Sequence, residues 1–388
     1  MENSSRGRIQ TLLVTASSLT GLSYIFMINK SIFTWFTDMF RWCPTSNEAL
    51  TNAEAKLLSL MKKPYELSFV SVKHENEDCS IRTITINSDL EKEVPLVLLH
   101  GFASGIGLWI LNIDDLAEGR PLYALDILGF GHSSRPSFSK DAEIAENQLI
   151  ESIEKWREKM GLSQFILFGH SMGGFLAASY AIKYPDHVKH LILADPWGFP
   201  TPDSGVKKVE FPMWAKAIAA MLRPFNPLAG LRAAGPWGPQ LVSRLRPDLL
   251  HKFKSCAEPE EVSDYIYHCN AQYPSGETAF KAMSAPFGWA KRPMIKRISM
   301  LRQDVPISFI YGSRSWIDSK SGHHICDIRA DSIVEVKLIE GAGHHLYADK
   351  FRDFNKTVVS ICEKVSKGSK EIKNHSLSES ETVPQVCI

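Results

Sequence analysis

The sequence carries almost no net charge: 44 Lys and Arg stand against 43 Asp and Glu in 388 residues. A chain so balanced lacks the basic excess of a general nucleic-acid binder. Cysteine is sparse and unpaired. The seven cysteines, at 43, 79, 256, 269, 326, 362 and 387, are odd in number and form no CxxC pair. That argues against a disulfide framework and a zinc site and favours a reducing compartment. No internal repeat is present, and only one long uncharged run, so collagen-like, solenoid and polytopic membrane architectures are excluded. What is present is 44% hydrophobic and 22% charged residues, the composition of a globular protein with a core large enough to need no staples.

The uncharged run is IQTLLVTASSLTGLSYIFMI, residues 9–28, flanked by Arg6, Arg8 and Lys30. It has the length of a membrane span but is diluted by Ser, Thr and Gly. Behind it, SIFTWFTDMFRWCP crowds Trp and Phe beside basic residues, as at a membrane interface. Residues 1–44 are therefore expected to anchor on or insert into a membrane. A cleaved signal peptide and a helix packed on the protein's own core are the competing readings. Residues 366–388 are polar and poor in aromatics and read as a disordered tail.

Between the ends, β-branched runs recur at 94–100, 121–126, 165–169, 190–195, 306–311 and 334–339, with helical patterns at 142–161 and 172–185 between them. Buried parallel strands alternating with helices make an α/β sheet covered on both faces. ELSFVSVK and IRTITIN read as an antiparallel edge hairpin. The rhythm stops over about 200–300, a helical stretch rich in Pro, Trp and Arg, expected as a cap. The expected organisation is an N-terminal segment (1–44), two halves of one core (45–199 and 301–365), the cap (200–300) and the tail.

Gly169-His170-Ser171-Met172-Gly173 follows a strand and opens a helix. Strand, tight turn and helix around GxSxG is the nucleophile elbow of an α/β-hydrolase, which exposes a serine hydroxyl at the carboxyl edge of the sheet. Gly169 and Gly173 are small because the turn is strained and crowded. A serine hydroxyl needs a base. His344, in Gly341-Ala342-Gly343-His344-His345 after the last strand, is expected to supply it, with His345 as rival. The acid that orients the base is sought after the strand PISFIY, where Asp318 is the candidate. Ser315 occupies the position three residues past the glycine where many relatives carry the acid. The N–H groups of Phe102 and Met172 are expected to bind the oxyanion. His100 is expected to brace the Phe102 loop, and Asp126 to order the loop after its own strand. An H-x4-D pattern joins His344 to Asp349 and marks a candidate acyltransferase box. It recurs at His190 and Asp195, on a buried strand where it is not expected to act. Asp349 is expected at the start of the last helix. No metal site or cofactor is expected.

HGFASG, DILGFGHSSRP, GHSMGG, DPWGFP, FNPLAGLRAAGPWGPQLVSRLRPD, DYIYHCNAQYPSGETAFKAM, GWAKRPM and GAGHHLYAD resemble the α/β-hydrolase-domain proteins 4 and 5 over about residues 42–366. The resemblance implies one of two activities. The type 4 branch hydrolyses N-acyl-phosphatidylethanolamine and lysophospholipids. The type 5 branch co-activates a triglyceride lipase at the lipid droplet and carries Asn at the nucleophile. Ser171 places this chain with the hydrolytic branch. The expected function is a serine hydrolase of glycerophospholipid acyl esters in lipid homeostasis. The alternatives are a lysophosphatidic acid acyltransferase and a lipid-droplet co-activator with a lipase or droplet-coat protein as partner. Expected partners are a glycerophospholipid and a membrane or droplet surface, with no nucleic acid. The expected location is intracellular and membrane-associated, at endoplasmic reticulum, lipid droplet or mitochondrion. Nine Lys or Arg against two acids over residues 207–254 suit a lid lying on anionic lipid.

Overall fold

The structure is a computed structural model that describes residues 42–90, 93–201, 226–254 and 256–380, without the side chains of 287 and 369–380. The apolar N-terminal run and the basic stretch 202–225 lie outside the described residues.

Eight strands form one sheet in the order β1-β2-β4-β3-β5-β6-β7-β8. β1 (Glu66–His74) and β2 (Glu77–Ile86) are the expected hairpin, and β2 runs antiparallel to β4 (Leu122–Leu125). β3 (Leu96–Leu99), β5 (Phe165–His170), β6 (Val188–Ala194), β7 (Ile307–Gly312) and β8 (Val334–Ile339) continue the sheet in parallel with β4. β3, β4, β5 and β7 are buried at every residue. That is why they read as unbroken apolar runs rather than as alternation.

Helix α1 (Asn47–Leu58) precedes the sheet; its N-cap Ser46 accepts from the N–H of Ala49 at 3.0 Å. α2 (Ala142–Met160) starts at Asp141, whose carboxylate accepts from Glu143 and Ile144, and ends at Gly161 with φ +66°. α3 (Met172–Lys183) follows β5. The cap holds α4 (Ala229–Ala233), α5 (Gly238–Leu245), α6 (Pro247–Phe253), α7 (Pro259–Asn270) and α8 (Gly276–Met283). α9 (Lys320–Ile328) and α10 (Phe351–Ser380) return to the core. Two buried clusters, one on each face of the sheet, form the core.

The polar end of the chain departs from expectation. α10 continues to Ser380, so residues 366–380 are helical rather than a disordered tail. The only glycine in its interior is Gly368 and there is no proline, and one glycine costs a helix only about 1 kcal/mol.

The segment ahead of α1 crosses the cap. Trp42 Nε1 donates to the carbonyl of Ala233 at 3.0 Å, and its ring meets Trp237 edge to face at 5.8 Å. The Cys43 sulfur lies 3.4 Å from the Tyr267 hydroxyl, and the Thr45 hydroxyl 3.1 Å from His268 Nδ1. Gly235 (φ +55°) lies under Trp42, where a Cβ would stand 2.2 Å from its carbonyl oxygen.

Candidate active site

Ser171 joins β5 to α3 with φ +54° and ψ −117°, a conformation L-residues avoid. The surroundings hold it there: its N–H donates to Ala194 O at 3.0 Å and its carbonyl accepts from Trp197 N–H at 3.0 Å. The flanking glycines let main chains pass closely. A Cβ on Gly169 would stand 2.3 Å from the carbonyl oxygen of Gly173, and one on Gly173 would stand 2.5 Å from those of Leu99 and His100.

His344 Nε2 lies 3.0 Å from Ser171 Oγ. The loop that carries it is held from two sides. His170, inside the elbow, donates from Nε2 to the carbonyl of His344 at 2.8 Å, and Asp349 Oδ2 accepts from the N–H of Gly343 at 2.8 Å. Asp349 thus straps the loop. It does not open the last helix, as the sequence suggests, but closes the short turn Leu346–Asp349 ahead of α10. Its other oxygen pairs with Lys252 Nζ of the cap at 3.1 Å, so the H-x4-D pattern is not a separate acid–base pair. His345 points to the cap, with Nδ1 3.4 Å from an Arg246 guanidinium nitrogen.

The carboxylate facing His344 is not Asp318. Asp318 Oδ1 accepts from the N–H of Lys320 at 2.9 Å, and Oδ2 pairs with Lys320 Nζ at 3.5 Å, so the side chain caps the start of α9. Three residues beyond the usual acid position, the chain has already turned into that helix, and Trp316 stands between, its ring centroid 5.0 Å from that of His344. The facing group is Asp195, the residue after β6, fully buried, with Oδ2 3.4 Å from His344 Nδ1. Neither atom makes a hydrogen bond among the described residues, so they face each other as the site's unsatisfied pair. Asp195 Oδ1 accepts from the N–H of Gly312 at 3.2 Å, and the Ser315 hydroxyl stands beside the same carboxylate. Ser315, at the position three residues past the glycine of β7, thus lies against the carboxylate that follows β6. Asp195, which the sequence places on a buried strand, sits one residue past its end with φ +40°. His190 does lie within that strand, bound to Ser308 Oγ at 2.8 Å.

Burial pushes the pair toward neutrality. Asp195 is pushed up to about 7, against the Gly312 N–H and the Ser315 hydroxyl. His344 is pushed down to about 4, first by desolvation and then by the nearby charges of Arg246 and Lys252. A neutral imidazole is the form that can take a proton from serine.

Phe102 and Met172 stand where expected, in the loop after β3 and at the first position of α3, where a helical N–H has no carbonyl four residues back. His100 braces the loop: its Nδ1 donates to Gly101 O at 2.7 Å and its Nε2 accepts from Ile127 N–H at 3.0 Å. From the cap, Asn270 Nδ2 donates to Ala103 O at 3.0 Å. Asp126 is structural, accepting from the N–H groups of Ile106 and His132, both at 2.8 Å.

The site opens into a cavity of about 910 Å³ between core and cap. Its lining is largely apolar, with Trp197, Leu231, Leu241, Val242, Ile266 and Phe280, and also carries Arg246, Asp248, Lys252 and His345. Among the described residues no group could hold a metal ion, and no helix is long and apolar enough to cross a membrane.

The family model described as alpha/beta hydrolase fold matches residues 94–351. The chain is 52% identical over 322 residues to the (lyso)-N-acylphosphatidylethanolamine lipase of Homo sapiens, covering 83% of this chain and 93% of that one. It is equally identical to the Homo sapiens 1-acylglycerol-3-phosphate O-acyltransferase ABHD5, covering 83% and 91%. Among solved structures it superposes on a Bacillus subtilis naproxen esterase (TM-score 0.55, 18% identity, 82% of this chain and 98% of that one). It also superposes on a membrane phospholipase A described as a bacterial virulence factor (TM-score 0.56, 20% identity, 90% and 99%); at these identities the likeness is one of fold. The chain belongs to the α/β-hydrolase fold family, in the group that includes the (lyso)-N-acylphosphatidylethanolamine lipases and ABHD5.

Proposed function

We propose that the protein is a serine hydrolase of glycerophospholipid acyl esters, with (lyso)-N-acylphosphatidylethanolamine as its substrate class, acting through Ser171, His344 and Asp195. The observation that carries the reading is the 3.0 Å approach of Ser171 Oγ to His344 Nε2 at the floor of a largely apolar cavity. Ser171 Oγ attacks the ester carbonyl carbon while His344 takes its proton. The carbonyl oxygen becomes an oxyanion between the N–H groups of Phe102 and Met172. The tetrahedral intermediate collapses, the C–O bond to glycerol breaks, and His344 returns the proton to the leaving alkoxide. Water repeats the sequence on the acyl-enzyme and releases fatty acid. Asp195 holds His344 in the tautomer that leaves Nε2 free to accept.

A second reading shares the acyl-enzyme. If a lysophospholipid hydroxyl replaces water, the product is a transferred ester, and the 52% identity to a relative named as an acyltransferase favours keeping it in view. The presence of serine at 171, as in the hydrolytic branch, favours hydrolysis. The apolar run 9–28 and the basic cap support a membrane or droplet surface inside the cell as the place of action.

The test is Ser171→Ala, with fatty acid release followed by lipid chromatography. The variant is expected to fold and to lose ~10⁶ in kcat, the scale for a serine triad without its nucleophile. Retained hydrolysis would overturn the reading. Labelled acyl-CoA with a lysophospholipid acceptor distinguishes transfer from hydrolysis, and the products distinguish ester cleavage from phosphodiester cleavage, which would yield free N-acylethanolamine.

A further inference from the structure

The cavity that contains Ser171 and His344 is lined mostly by apolar side chains, and its charged lining residues lie where α5 passes into α6. Arg246 and Lys252 are the cations among them. Lys252 has a side chain only 14% exposed, so it spends its charge inward rather than on solvent. Both cations are held by carboxylates. Arg246 grips Asp248 with Nε and a terminal nitrogen, each at 3.1 Å, and Lys252 Nζ lies 3.5 Å from Asp248 and 3.1 Å from Asp349. Asp248 is half exposed and shared by both. It can rotate to water and leave its two cations to another oxyanion. Arg232, another cation among the described residues of the cap, is not available in this way: it is engaged by the buried Glu277 and by the carbonyl of Asn270.

We propose that Arg246 and Lys252 form a subsite for the phosphate of a glycerophospholipid whose acyl ester lies at Ser171, the phosphate taking the place of Asp248. The proposal rests on the reading of the protein as an ester hydrolase and adds the groups that choose its substrate. A planar guanidinium offers a phosphate two parallel N–H donors, and the ammonium adds a point charge. In such a lipid the phosphate is separated from the ester by the glycerol backbone alone. The same cavity offers apolar side chains to the acyl chain and these two cations to the phosphate, so both parts of the lipid can be held around Ser171.

The experiment uses the full chain and two substrates with the same acyl group in the same detergent micelles, 1-oleoyl-glycerophospho-N-palmitoylethanolamine and the neutral 1-oleoylglycerol. The wild type is expected to prefer the phosphate-bearing lipid in kcat/KM. Arg246→Gln and Lys252→Gln are each expected to cut that preference about tenfold, mainly through KM, the scale of one charged hydrogen bond. Arg246→Lys, which keeps charge and fold, should retain most of it. Equal falls on both substrates, with the ratio intact, would show that the cations only brace the His344 loop and would overturn the subsite. Inorganic phosphate should raise KM for the phospholipid alone. Altered turnover of the neutral ester as well would mark a site for free phosphate and overturn the proposal. The outcomes separate from those for the hydrolase itself: 1-oleoylglycerol cleavage that disappears in Ser171→Ala upholds the enzyme whatever the ratio does.

Discussion

Asparagine at position 195 is the sharpest perturbation available to the site. The change is isosteric, and Oδ1 can still accept from Gly312 N–H, so the fold should survive. What changes is the atom facing His344 Nδ1 across 3.4 Å. An amide nitrogen there donates, so Nδ1 must accept and the ring proton moves to Nε2, the atom 3.0 Å from Ser171 Oγ. The imidazole then donates to the serine it should deprotonate. Loss of the correct tautomer costs ~10⁴ in kcat, about 5.5 kcal/mol of transition-state stabilisation. Asp318→Asn should change kcat by less than about twofold, because asparagine caps a helix as well as aspartate does. Ser315→Asp placed in the Asp195→Asn background offers a carboxylate from the end of β7 and should recover at least about tenfold, given that even a misplaced carboxylate restores part of the tautomer preference. Steady-state hydrolysis of a p-nitrophenyl ester and the rate of fluorophosphonate labelling measure all three. If Asp318→Asn fell by the larger factor while Asp195→Asn remained near wild type, the assignment of the acid would be refuted.

Two further outcomes follow from the same geometry. The proposed mechanism needs neutral His344 and ionised Asp195; with the first pushed to about 4 and the second to about 7, the higher value governs, so activity should fall as pH drops through about 7, and a pH–rate profile on a soluble ester reads it. Gly173→Ala should lower stability by ~1–3 kcal/mol, as overpacking does, because its methyl would press on the Leu99 and His100 carbonyls; an unchanged melting temperature would contradict the crowding at the elbow.

Most of the sheet was legible in the sequence because fully buried parallel strands leave uninterrupted apolar runs: the strand read at 165–169 falls within β5, buried at every residue, and the helix read at 142–161 ends at its αL glycine. The elbow was legible for a different reason, since crowding admits only glycine at 169 and 173. The acid was not. One carboxylate follows β6 and another follows β7, and linear distance from a strand end does not say which of them turns inward. Asp318 lost that place to helix capping, and Asp195 looked like the last residue of a strand. The signal present, though easily passed over, was an aspartate leaving the carboxyl edge of the sheet directly before Pro196. The roles of His170 and Asp349 in holding the His344 loop were likewise invisible, because both act through main-chain atoms of residues distant in sequence or one turn away.

The strap at Trp42 and Cys43 has a mechanical consequence. The chain is fastened to the cap before it reaches α1, through Ala233, Trp237 and Tyr267. Tension applied at the N-terminal side is therefore delivered to the helices that wall the cavity rather than to the sheet. A truncation ending at residue 44 is two operations at once, since it removes the apolar run and unclasps the cap. One ending at residue 41 removes the run and leaves the clasp closed.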